Sequence, residues 1–85
     1  MRYRKRPIEV EAIQPHCLAM KDWPQWAADA LDEGRLAFDP SGAIRVKTPD
    51  SFGYARIGDW VILGAKGDLY PCMAEIFAET YDAIG

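Results

Sequence analysis

The chain has 85 residues, 49% of them hydrophobic, ten aromatic side chains and a net charge of −3. That length supports one domain, residues 1–85, burying ~60–65% of the unfolded chain's surface, and the composition excludes a disordered tail. The longest apolar run, "WVIL", is four residues, too short for a membrane-spanning helix; two distant cysteines and a single histidine exclude a zinc-ligand set, and no cofactor is expected.

Residues 1–6, "MRYRKR", form a basic arm that includes Arg2, Arg4 and Arg6. The other 79 residues carry six basic against thirteen acidic side chains, a balance of −7. A basic arm on an acidic body biases encounter with charged partners. One aromatic among four cations suits phosphate contact with stacking; the plainer reading is a solubilising tail that guards an edge strand. The next residues, "PIEVEAIQ", are interrupted by Glu9 and Glu11, unlike a secretory leader. Both thiols are expected reduced, in a cytoplasm, with neither cysteine bridging the other.

Arg6–Gln14 alternates, with Ile8, Val10 and Ala12 on one side and Glu9, Glu11 and Ile13 on the other. It predicts a strand with one largely apolar face, ended by Pro15. "PHCLAMK" reads as a connection. Asp22 is suited to cap a helix over 23–33 with Pro24 in its first turn. Trp23, Trp26, Ala27, Ala30 and Leu31 form its apolar stripe. Its opposite face carries Asp22, Gln25, Asp29, Asp32 and Glu33, and Gly34 ends it.

Short apolar stretches divided by turn formers follow: "RLAF", Asp39-Pro40-Ser41-Gly42, "AIRVK", "TPDSFG", "YARI", "WVIL" and "DLY" before Pro71. These predict a small antiparallel meander or partial barrel. "AEIFAET" reads as one helical turn before a last short strand around Tyr81, and the first strand should pair with a late one. Trp60 is expected beneath the helix, and Cys72 buried beside Trp60 or Phe77. The fold class is therefore α+β: one amphipathic helix packed on a small, curved antiparallel sheet of five or six short strands.

Candidate chemistry is sparse. Gly64-Ala-Lys-Gly67 lacks the Lys-Ser/Thr and helix of a phosphate loop, and the helices of a GxxG nucleotide clamp; a hairpin turn explains the same residues. A His16–Cys72 thiol–imidazole pair is conceivable, but a lone histidine beside Pro15 is ordinarily solvated. Asp32-Glu33 lies at an exposed helix end, where nothing raises a carboxyl pKa. No catalytic residue is assigned and the chain is not expected to be an enzyme. The acidic helix face, with Asp29, Asp32 and Glu33, can imitate nucleic-acid phosphates toward a basic partner; its plain reading is a solvated face.

The two ends together resemble a family of small phage and prophage proteins that open with "YRKKPV-VEA-Q" and close with "GDWI--G--GE-YPC-P-IF--TYE". This chain has "YRKRPIEVEAIQ" at Tyr3–Gln14 and "GDWVILGAKGDLYPCMAEIFAETYD" at Gly58–Asp82. It departs where Met73-Ala74 replace a basic residue and proline, and where Pro15-His16 replace an aromatic. The family has no agreed catalytic residues to carry over. The resemblance implies a phage-derived gene working in a bacterial cytoplasm. Small phage proteins without catalytic groups commonly bind host machinery, some blocking CRISPR effector complexes and others redirecting RNA polymerase. The leading expectation is an inhibitor of a bacterial nucleoprotein complex of the anti-CRISPR type. In it Asp29, Asp32 and Glu33 contact the partner, and Arg2, Arg4 and Arg6 rank second. The alternatives are a regulator acting on RNA polymerase or binding nucleic acid through the arm, and a structural or assembly component of the phage particle.

Overall fold

The computed structural model describes residues 1–2 and 9–81. Arg4, Arg6, the start of the expected first strand and the end of the expected last strand lie outside the described residues. Within them the chain is α+β. Strand β1 (Glu11–Ile13) is followed by two 3₁₀ turns (Pro15–Cys17 and Met20–Asp22) and helix α1 (Gln25–Asp32). Strands β2 (Leu36–Phe38), β3 (Ile44–Lys47), β4 (Phe52–Ala55), β5 (Trp60–Leu63) and β6 (Leu69–Cys72) come next, then helix α2 (Ala74–Thr80).

The six strands divide into two three-stranded antiparallel sheets, ordered β1-β5-β6 and β2-β3-β4, rather than forming one. Pro71, within β6, accounts for part of this. It pairs with Val61 on the β5 side. A proline has no N–H to offer a further strand, so it belongs on a sheet edge. β6 accordingly ends its sheet. It lies against β3 and β4 without joining their ladder, and at the seam a Cβ on Gly53 would stand 2.6 Å from Pro71 Cγ. Between the sheets the chain reverses through Arg56–Asp59, closed by an Asp59 N–H to Arg56 carbonyl bond of 2.8 Å with Gly58 at φ +91°. A positive φ at the third position makes this a type II turn, which asks for glycine there.

The helix begins later than its apolar spacing predicts. Trp23 is extended (φ −65°, ψ 139°) because proline crowds the residue before it out of the helical region. Pro24, not Asp22, stands at the N-cap, and its carbonyl accepts from the Ala27 and Ala28 amides. Asp22 closes the preceding 3₁₀ turn instead. The stripe survives this shift: Ala27 and Ala30 are completely buried, Trp23 is buried against Phe38, and Trp26 and Leu31 pack half-buried on the core.

β1 pairs with a late strand, β5, in the register Glu11↔Leu63 and Ile13↔Val61. Its core-facing residue is Ile13, while Val10 and Ala12 are only half-buried; the expected apolar face is thus the outer one. "AEIFAET" forms a full seven-residue helix, and no strand follows it as far as Tyr81. Its alanines and glutamates favour a helix, and Phe77 stacks between Trp60 (centroids 3.9 Å apart) and Tyr81 (4.9 Å). Those two stacks place Tyr81 on the helix face, at the i,i+4 spacing. Trp60 therefore packs against α2, not α1.

A single core joins Ile13, Trp23, Ala27, Ala30, Leu36, Ile44, Val46, Ala55, Val61 and Leu69. It is built from α1 and the inner faces of both sheets. The other face of β2-β3-β4 is left to solvent.

Candidate functional site

Asp29 and Asp32 are exposed on α1, and Glu33 is exposed just after it. Asp29 Oδ1 accepts a hydrogen bond from Gln25 Nε2 at 2.8 Å, one turn earlier. Glu33 Oε1 lies 3.7 Å from Arg35 Nη1, so part of its charge is answered locally. Because Ala27 and Ala30 lock the opposite side of the helix into the core, Asp29 and Asp32 stand on a rigid support. Arg2 is exposed.

His16 and Cys72 serve separate places. His16 Nε2 lies 2.8 Å from the Gly42 carbonyl. A carbonyl only accepts, so this nitrogen carries the proton, and the ring ties the first 3₁₀ turn to the β2–β3 hairpin. Its Nδ1 and the Trp23 Nε1 are buried without a hydrogen-bond partner among the described residues. Cys72 is on β6, with β5 between it and β1. It is half-buried rather than buried, directly across from Trp60. Burial first, and the Asp59 carboxylate second, push its thiol pKa above the ordinary range. That is the opposite of what activates a nucleophilic cysteine. Both cysteines are free.

The glycine-rich stretch is a turn. Gly64 N–H bonds the Asp68 carbonyl at 2.8 Å, Gly67 N–H bonds the Gly64 carbonyl at 3.0 Å, and Gly67 has φ +84°. A three-residue loop with a left-handed glycine last is a common hairpin closure. Asp39-Pro40-Ser41-Gly42 repeats it between β2 and β3, with Gly42 at φ +93°. There the Asp39 carboxylate accepts the Ser41 N–H, and hydrogen bonding from Ser41, then the Arg45 charge, lower its pKa.

The sequence reasoning missed the outer face of β2-β3-β4. In its ladder Lys47 lies opposite Phe52, and Arg45 lies between Ala37 and Tyr54. Paired residues share a face, so these five side chains stand together, away from the buried Leu36, Ile44, Val46 and Ala55. Phe52 and Tyr54 are 54% and 52% exposed, and the Arg45 guanidinium sits 4.9 Å from the Phe52 ring centroid. Arg56, exposed, follows β4 just past Tyr54; the Arg35 guanidinium instead donates to the Gly67 carbonyl of the β5–β6 hairpin at 2.5 Å. Two of the six cations in residues 7–85 thus stand beside two exposed rings on one sheet face. The alternation in "IRVK" and "FGYAR" held this signal, each cation or ring alternating with a small or apolar residue.

Among the described residues no three metal-binding side chains gather, and no helix is long and apolar enough to cross a membrane. An open depression of about 440 Å³ is bordered by Glu9, Glu11 and Leu63. No family model, curated protein or solved structure matches this chain.

Proposed function

We propose that the chain is a phage-derived, non-enzymatic protein that binds a bacterial nucleoprotein complex and blocks its engagement of nucleic acid, with an anti-CRISPR role as the leading case. The observation that carries this reading is the rigid mounting of exposed Asp29 and Asp32 on a helix whose other side is fixed in the core. Carboxylates so held keep their spacing on binding, and an acidic ridge is steered toward the cationic groove where such a complex holds DNA or RNA. A domain of 9.5 kDa can present about 800 Å² to one partner, enough for a specific contact. The phage-like patterns at the two ends supply the biological setting. Glu33, already beside Arg35, contributes less than Asp29 and Asp32, and the cationic arm with Arg2, Arg4 and Arg6 is repelled from such a groove and contributes least.

The test is affinity capture from a bacterial lysate, followed by inhibition of the captured complex with purified protein. Replacing Asp29 and Asp32 together by Lys should slow association at least ten-fold at low salt and abolish inhibition, with the circular dichroism unchanged. Full inhibition by this variant overturns the acidic-ridge mechanism.

A further inference from the structure

We propose that the outer face of β2-β3-β4 binds single-stranded nucleic acid, with Phe52 and Tyr54 as stacking platforms and Arg45 and Lys47 as phosphate contacts. This inference rests on the sheet face alone and needs nothing of the host complex. Phe52 and Tyr54 are two residues apart on β4 and point the same way, which separates them by about 6.6 Å along the strand. That spacing offers each of two successive unstacked bases its own ring, the arrangement by which an open sheet reads single strands. The Arg45 guanidinium already covers one face of the Phe52 ring, so a base there stacks on the guanidinium plane or on the ring's other face, and guanidinium planes stack on bases as aromatic rings do.

Charge selects the occupant. The strand positions of this face carry Arg45 and Lys47 and no carboxylate, in a body whose balance, these two included, is −7. Lys47 and Thr48 border a depression of about 220 Å³ together with Asp68 and with Arg35, whose guanidinium is held by the Gly67 carbonyl, and exposed Arg56 follows β4. Acids stand at the rim: Asp50 in the β3–β4 turn, Asp68 across the depression, Asp39 within reach of the Arg45 charge and Glu33 beside Arg35. A protein interface is depleted of lysine at its centre, whereas here Lys47 lies directly beside Phe52. A duplex hides the faces of its bases, so exposed rings on a sheet gain nothing from it; a single strand uses both rings and cations.

The experiment is fluorescence anisotropy of labelled dT12 and U12 with the purified full chain, across a salt series, with a 12-base-pair duplex as comparison. Binding should be tighter to the single strands and weaken with salt at a slope near −2 for about three neutralised phosphates. Phe52→Ala and Tyr54→Ala should each weaken it about ten-fold, and Arg45→Glu with Lys47→Glu should abolish it. Lys21→Glu, away from the sheet face, should leave it within about two-fold because its charge is screened. Both rings are half-exposed, so these variants keep the core, and thermal melts check that they do. Replacing Arg2, Arg4, Lys5 and Arg6 by Gln separates the arm from the sheet. Loss of all binding in that variant, with full binding in Phe52→Ala/Tyr54→Ala, places the site on the arm and overturns the proposal. Equal affinity for duplex, or no binding to either oligonucleotide at low salt, overturns it as well. So does a face that captures a protein and no oligonucleotide.

Discussion

The carboxylate of Asp59 accepts the Arg56 N–H at 3.0 Å within its own turn and the Ala74 N–H at 3.3 Å at the start of α2. The first amides of a helix need outside acceptors, and Met73, at the N-cap, offers no side-chain oxygen. Asp59 fills that place from a distance, so the Gly-Asp pair is a joint between the type II turn and the last helix. The same carboxylate sits near Cys72 and, after burial, disfavours its thiolate; the thiol also points toward the Met73 carbonyl at 3.6 Å. Cys17 is exposed. Alkylation with iodoacetamide, followed by mass spectrometry of the intact chain, should therefore modify Cys17 first at neutral pH. Cys72 should follow only as pH rises beyond the ordinary thiol range, because its raised pKa keeps the reactive thiolate scarce. Faster modification of Cys72 than of Cys17 at pH 7 would contradict this account.

Two sheets meeting at Gly53 and Pro71 explain what the residue pattern conveyed and what it did not. The hairpins were readable because Asp39–Gly42 and Gly64–Gly67 carry their conformational demands in their own residues, and "WVIL" is the whole of β5. The start of α1 was misjudged because apolar spacing outweighed the local effect of Pro24 on Trp23. The split into two sheets was hidden because it depends on a contact between residues eighteen apart, and Pro71 was read as a stop instead of an edge. The cationic sheet face is hidden for a related reason: the charge contrast between arm and body masks the strand parity that sets Arg45 and Lys47 beside Phe52 and Tyr54. The seam makes a direct prediction. A Cβ at Gly53 has no room beside Pro71 Cγ, and a proline ring cannot swing away. Gly53→Ala should cost about 2 kcal/mol and lower Tm by roughly 10 °C. In a Pro71→Ala background the same substitution should cost much less, since the crowding atom is gone. An equal cost in both backgrounds, measured by urea unfolding, would mean that the seam is not the cause.

The core passes without interruption from Ile13 and Val61 in one sheet through Ala55 and Val46 in the other to Ala27 and Ala30 of α1. No part of this set can be exposed without opening the rest, so urea unfolding should be a single transition for both sheets and α1. α2 stands apart from that cooperative unit. It contains no buried residue, and it is joined to the body through the Asp59 carboxylate and the stack of Phe77 on Trp60. Its position matters for the two proposed binding faces, since neither the α1 carboxylates nor the β2-β3-β4 cations rely on it. Opposite charges are instead supported on opposite sides of one rigid unit, α1 covering the inner side of the sheet that carries the cations on its outer side. Native-state hydrogen exchange should resolve this arrangement. Amides of β3 and β5, paired on both sides, should exchange only through global unfolding, while amides of α2 should open with a fraction of that free energy. Phe77→Ala should raise the α2 exchange rate further, because it removes the stack on Trp60, and leave β3 slow. Equal protection of α2 and β5 would place α2 inside the cooperative unit and make the Asp59 joint part of the global fold.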